Sequence, residues 1–265
     1  MSSIYINNVS FAYKNSDKLI LKDINLEVES GEFVCILGQS GCGKSTLLRL
    51  LAGLEGATTG EMLIDTKKIV SASLDRGVVF QDYGLFPWMS AGANIMLALT
   101  QSFPDKNKKE LKEIAYKFME LVGLDKSVYK KLPKELSGGM KQRCAIAQAF
   151  SINPPILLMD EPFGALDAVT RAKLQDLLLE LWSQEEQKKT VFFVTHDVDE
   201  AILLGNRIIV LGQSPSNIIY DCKIKEEDRI SRENQFDNID ALKLRNTLIQ
   251  QINKDVVIRI EKFTE

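Results

Sequence analysis

Residues 38–46 read G-Q-S-G-C-G-K-S-T, and what flanks them restricts the fold more than any other stretch of the chain. The five residues before them, Phe-Val-Cys-Ile-Leu, are apolar and partly β-branched, which predicts a buried strand. Residues 47–52, Leu-Leu-Arg-Leu-Leu-Ala, are good helix formers. Strand, glycine-rich loop and helix in that order is the setting in which G-x-x-x-x-G-K-[ST] cradles phosphate. The glycines let backbone N–H groups turn inward around phosphate oxygens, and the helix N-terminus adds partial positive charge. The candidate nucleotide site is therefore Gly38, Gln39, Ser40, Gly41, Cys42, Gly43, Lys44, Ser45 and Thr46. Within it Lys44 supplies a point charge for the β- and γ-phosphates of a nucleotide, and Ser45 a hydroxyl for Mg²⁺.

Composition narrows the surroundings. A chain of 265 residues with 45% apolar content can bury a sizeable core. Its net charge of −3 gives no general electrostatic footprint for nucleic acid, so none is expected as a partner. Cys35, Cys42, Cys144 and Cys222 form no C-x-x-C pair, which suits a reducing compartment better than a disulfide framework or a zinc site. No apolar run approaches the roughly 18 residues of a membrane span. The N-terminus lacks the basic-then-apolar pattern of a secretory leader. The expectation is a cytosolic chain without its own anchor.

Along the chain, Ile4, Ile6, Ile24, Leu26 and Val28 alternate with polar residues, predicting antiparallel strands with one solvated face. Tyr13 lies between those strands, and the pattern alone leaves open whether it is core or ligand-facing. Strands are expected again at 61–65 and 77–80. From 82 to 150 strands disappear. Leu111, Ile114, Ala115, Phe118, Leu121 and Val122 form one helical stripe stopped by Gly123, and a second helix opens around 136–140. Strand signals return at 156–159, 190–194 and 207–211, with a helix capped by Asp167 and a short one at 198–204. Buried strands alternating with helices indicate a mostly parallel sheet. Beyond 212 the pattern weakens: 223–232 is a charged run expected to be solvated. Ile239, Leu242, Ile249 and Ile252 suggest a late amphipathic helix, and 256–260 a strand.

Ligands in such folds bind at the carboxyl ends of the parallel strands. Besides Lys44, three strand ends here carry residues suited to phosphate chemistry: Gln81, Asp160 with Glu161, and His196. Asp160 fits the acidic partner of the Mg²⁺ shell, and Glu161 is placed to polarise an attacking water. His196, the chain's one histidine, follows an apolar strand and is a candidate γ-phosphate contact rather than a metal ligand.

Residues 136–143, L-S-G-G-M-K-Q-R, resemble the signature motif of ABC-type ATPases. In the same order the chain carries that family's Walker A (38–46), Q-loop (Gln81), Walker B (156–161), D-loop (164–167) and H-loop (His196) motifs. The resemblance covers about residues 1–212. It implies an α/β fold: a P-loop NTPase (RecA-like) core with an N-terminal antiparallel β subdomain and a helical subdomain inserted at about 87–150. It further implies that Tyr13 stacks on adenine and that Gln81 joins Asp160 and Ser45 around Mg²⁺. Two copies would pair head to tail, with Ser137, Gly138 and Gly139 of one, and Asp167 of its D-loop, facing ATP held by the other.

Residues 80–88 (F-Q-D-Y-G-L-F-P-W), 160–167 and 195–201 are similar to the nitrate, sulfonate and taurine importer group. That likeness implies a separate transmembrane permease and a periplasmic or lipid-anchored solute-binding protein. It places the chain peripherally on the cytoplasmic face of the membrane, with Trp88 near the permease; a buried core Trp is the competing reading of that residue. Gln148 departs from the family's usual Arg. Residues 213–265 match weakly and form an extension without an assigned role. A soluble ABC ATPase acting on nucleic acid or ribosomes is the alternative, but it usually has insertions, paired cassettes or basic faces. A small-molecule kinase would have no use for residues 136–143.

Overall fold

The computed structural model describes residues 2–14, 16, 18–183 and 188–264, with side chains as far as 255. They form two compact units: 1–73 with 187–265, and 74–186. The second is thus an insertion between two parts of the first.

The first unit opens on β1 (Ile4–Ala12) and β2 (Leu19–Val28), which pair antiparallel with Ile4 opposite Val28 and Ile6 opposite Leu26. Ile4, Ile6, Ile24 and Val28 are at most 1% exposed while their sequence neighbours face water, so the alternation does set one buried face. β3 (Phe33–Leu37) is buried along its whole length and delivers the chain to α1 (Lys44–Leu51). β4 (Thr59–Ile64) and the two-residue β5 (Lys67–Lys68) complete a sheet ordered β2-β1-β4-β5.

The second unit holds β6 (Arg76–Val79), then α2 (Ala91–Ser102), α3 (Lys108–Leu121), α4 (Gly138–Ser151), β7 (Ile156–Asp160) and α5 (Ala168–Ser183). β6 and β7 are parallel, Val79 opposite Met159. Helix α3 follows its predicted stripe with Leu111, Ala115 and Val122 buried, but Leu121 lies on the exposed side. Its start is fixed by a reciprocal cap: the Asn107 side chain accepts from the Glu110 amide, and Glu110 accepts from the Asn107 amide. Helix α2 was not foreseen. Its mean character is apolar all round, so no stripe marks it, and its Ser90 cap is its main local signal.

The chain then returns to the first unit with β8 (Thr190–Val194), α6 (Val198–Leu204), β9 (Arg207–Leu211), β10 (Ile218–Lys223) and α7 (Ile239–Thr264). β3 lies between β9 and β8, parallel to both, and every residue of the three strands is buried. A strand covered on both faces reads as a continuous apolar run, which is why these were legible.

The C-terminal expectations need correction. Residues 218–223 form a strand antiparallel to β9, and 256–260 belong to helix α7 rather than to a strand. Ile239 and Leu242 are exposed; among the described residues of α7, Ala241 and Leu248 are buried. The charged run is not merely solvated either. Lys223 pairs with Glu29 at 2.6 Å and Glu32 at 2.7 Å, and Ile230 is buried.

Beside that pair lies Arg207, whose guanidinium meets Asp221 through both Nε (2.9 Å) and Nη2 (2.7 Å), and Glu32 and the Glu27 carbonyl through Nη1. These bonds hold its pKa above the ordinary arginine value against the opposing effect of burial. One cation therefore pins β10 and β9 to the turn between β2 and β3. Arg207→Ala would leave Glu32 to Lys223 and deprive the Asp221 carboxylate of its bidentate partner, and should lower stability by about 3 kcal/mol in urea denaturation. Arg207→Lys, which cannot make the bidentate contact, should lose an intermediate amount.

Candidate nucleotide site

In the first unit, register alone brings two predicted residues to one sheet edge. Ile36 stands opposite Val194 across β3 and β8, and each chain leaves the sheet two residues on, at Gly38 and at His196. Gly38 then passes so near β9 that a Cβ there would lie 2.7 Å from the Leu211 carbonyl oxygen. Gly43, at φ 101°, is the N-cap of α1, and a Cβ on it would press on Leu21 and Ile20. Lys44 is buried within the loop, its Nζ donating to the carbonyls of Gly38 (2.8 Å) and Gln39 (3.0 Å). An ammonium has three donors, so this geometry fixes the charge at the loop's centre with one donor left for an oxyanion. Gln39, Ser40 and Gly41 are exposed, whereas Cys42 is buried and its thiol is pushed up in pKa by that burial, which keeps it neutral. Ser45 and Thr46 follow on the first turn of α1. The Tyr13 hydroxyl is 3.1 Å from Thr46 Oγ1, and its ring, 39% exposed, meets Phe11 edge-on. Tyr13 is thus held beside the loop with an open ring face.

The second unit repeats the device. Val79 faces Met159, and two residues on come Gln81 and Glu161, whose side chains meet at 3.5 Å from Nε2 to Oε2. Asp160 closes β7 and is partly exposed. Glu161 has φ 45°, a left-handed backbone that costs a non-glycine residue about 1–3 kcal/mol and is concentrated at functional sites. Ser137 caps α4, accepting from the Met140 amide at 3.3 Å. Gly138 and Gly139 let that helix end approach the segments after β6 and β7: Cβ atoms there would stand 3.2 Å from the Tyr83 hydroxyl and 3.3 Å from Leu166. Asp167 accepts from the Thr170 amide at 3.0 Å, chiefly by which its carboxyl is held below the usual aspartate range. Ser137, Gly138, Gly139 and Asp167 therefore lie near one another, with Ser137 and Asp167 exposed.

A match to the ABC transporter family spans residues 21–164, more than half of the chain. The chain belongs to the ABC transporter family of ATP-binding cassettes. It is 47% identical over 199 residues to the nitrate import ATP-binding protein NrtD of Synechococcus elongatus, covering 75% of this chain and 72% of that one. It is 46% identical over 218 residues to the aliphatic sulfonates import ATP-binding protein SsuB of Bacillus cereus, covering 82% and 84%. A solved dimeric bacterial ABC transporter cassette superimposes with a TM-score of 0.77 at 37% identity, over 84% of this chain and 99% of that one. A structure of a dimeric cassette bound to ADP and phosphate gives 0.76 at 35%, with the same coverage. The protein is an ABC-type ATPase that binds ATP.

Two residues of this ATPase were missed by sequence reasoning. Ser216, fully buried, places its hydroxyl between the carbonyls of Cys42 and Gly212, bracing the phosphate loop from behind. Nothing in the sequence marks it, because it acts on a loop 174 positions away. Asn94, also fully buried, ties down residues 86–90: it accepts from the Phe86 amide at 2.8 Å and donates to the carbonyls of Phe86, Met89 and Ser90. A polar residue inside an apolar helix was the available signal. Gln148, the departure from the family pattern, buries an Oε1 that has no hydrogen-bond partner among the described residues.

Gly43→Ala should weaken nucleotide binding at least tenfold, read by titration with a fluorescent ATP analogue, because the residue must adopt φ 101° where a Cβ meets Leu21. Ser216→Ala should weaken it by a smaller factor while the circular dichroism spectrum stays unchanged.

Proposed function

We propose that this ATPase is the energy-supplying subunit of an importer for a small anion of the nitrate, sulfonate or taurine kind. It would act as a head-to-tail pair at the cytoplasmic face of a separate membrane permease, which a periplasmic or lipid-anchored binding protein loads. Carrying this reading is the 46–47% identity to nitrate and sulfonate import subunits. The dimeric cassettes it superimposes on support the pairing.

A surface feature supports the permease. Trp88 is 73% exposed and Phe86 40%, their rings 5.4 Å apart, on the segment that Asn94 anchors. Large aromatics held rigidly in water mark interaction surfaces. Beyond that segment runs a groove of about 690 Å³ lined by Met89, Ala93, Met96, Leu97, Leu111 and Tyr129. No helix among the described residues is long and apolar enough to cross a membrane, so translocation would fall to another chain.

In the ATP reaction, Tyr13 would stack on adenine and the amides of residues 38–46 would surround the phosphates, with Lys44 neutralising them. Glu161 would take a proton from the water that attacks the γ-phosphorus, Gln81 would orient that water, and His196 would contact the γ-phosphate. The ADP–phosphate bond breaks as the water–phosphorus bond forms. Ser45, Asp160 and Gln81 would hold Mg²⁺, which screens phosphate charge when bound. Their hydroxyl, carboxylate and amide oxygens suit that hard cation. No group of three or more His, Cys, Asp or Glu that could cage a metal exists among the described residues, as expected for an ion held largely by nucleotide and water. Ser137, Gly138, Gly139 and Asp167 would complete the partner's site. The cassette would span 1–212, with its helical part at about 87–150 and the extension after 212.

Glu161→Gln should lower turnover at least 100-fold and accumulate an ATP-bound dimer in size-exclusion chromatography; unchanged turnover would remove Glu161 from its role. Trp88→Ala should abolish copurification with a polytopic membrane protein while ATP binding persists. Copurified nucleic acid in place of a membrane protein would overturn the importer reading.

A further inference from the structure

We propose that the extension after residue 212 is a positioning clamp for His196, with Gln235 and Arg245 acting on the helix that carries it. The inference rests on the part given to His196 above.

His196 lies between Thr195, which follows β8, and Asp197, the N-cap of α6. Both neighbours are tied to that helix. The Thr195 hydroxyl donates to Glu200 at 2.5 Å and accepts from the Asp197 amide at 3.0 Å. The Asp197 carboxylate accepts from the amides of Asp199 and Glu200. Any tilt of α6 is therefore carried to His196. Yet α6 has only seven residues, two turns, too few to be stable or rigid by themselves. Its placement depends on what grips it.

The extension grips it at both ends. At the N-terminal end, Arg245 of α7 donates from Nε to Asp199 Oδ1 at 2.8 Å, and Gln235 donates to the Asp199 carbonyl. At the other end, Arg229 donates at 3.1 Å to the carbonyl of Leu204, one of the last-turn carbonyls that a helix leaves without an internal partner. Gln235 is 7% exposed, so its contact is shielded from water, while Arg245, its side chain 44% exposed, meets the half-buried Asp199 nearer the surface.

The same extension touches the phosphate loop. Asp255 of α7 accepts from the Gln213 amide at 2.7 Å, and the Gln213 side chain donates to Gln39 at 3.3 Å. Ser216 stands behind Cys42. One segment thus fixes both elements that leave the adjacent strands β3 and β8 at the phosphate edge, and it sets their spacing.

The test uses the full-length chain with Gln235 and Arg245 both changed to Ala. ATP turnover should fall at least fivefold, with KM for ATP and binding of a fluorescent ATP analogue within twofold. Arg245→Lys should keep more than half of the rate. Lys243→Ala, on the same helix but paired only with Asp240 at its own N-terminal turn, should change nothing. The double change should add little to His196→Ala, because residues acting through one group are not additive. Full turnover per folded molecule in the double variant would overturn the clamp, as would a loss confined to melting temperature. If the double variant does not fold, Asp199→Asn, which removes the charge that Arg245 meets, replaces it with the same expected split. Full turnover in His196→Ala would overturn the role of His196 and the clamp together. A loss in His196→Ala alone would overturn only the clamp.

Discussion

Ile36 faces Val194 in the parallel pairing of β3 with β8, and Val79 faces Met159 in that of β6 with β7. Parallel strands that share a register end at the same level, so whatever follows them emerges together. Gly38 and His196 are paired in this way in one unit, Gln81 and Glu161 in the other. A slip of one residue in either ladder would turn every side chain of the slipped strand to the opposite face. Because these strands are buried on both faces, such a slip would also have to repack the core. The apolar packing of the strands thereby fixes the positions of polar groups that contribute nothing to it.

The two units then supply different electrostatics. The first concentrates a glycine-rich loop, a helix N-terminus and the Lys44 ammonium, all favourable to an anion. The second supplies carboxylates and a second glycine-rich helix end. Lys44 is held by carbonyls of its own loop, so its charge is in place without a partner side chain. Glu161 is held in a strained backbone conformation beside Gln81. Both arrangements restrict a charged side chain to one geometry, at a local cost that the buried strands offset.

The C-terminal region shows what such local reading cannot reach. Residues 218–223 pair with β9 although their sequence, Ile-Ile-Tyr-Asp-Cys-Lys, is half exposed and weakly patterned. Their place is set by Arg207 and Glu32, which meet Asp221 and Lys223 of the strand from two other parts of the chain. Helix α7 was expected, but its buried face was assigned to Ile239 and Leu242 when it belongs to Ala241 and Leu248. A small residue lies inward there because α6 is close, and composition carries no record of that proximity.

The sequence by itself determined the strands that are wholly apolar, the phosphate loop, the signature helix and the order of the motifs, because each rests on local periodicity or on a backbone that only glycine adopts. It also offered candidate residues whose side-chain types suit phosphate chemistry. Tertiary structure alone decided that Ser216 backs the phosphate loop, and that Gln235 and Arg245 reach the helix beside His196. Each of these depends on groups far apart in sequence meeting in space, and such a meeting leaves no periodic mark on either segment.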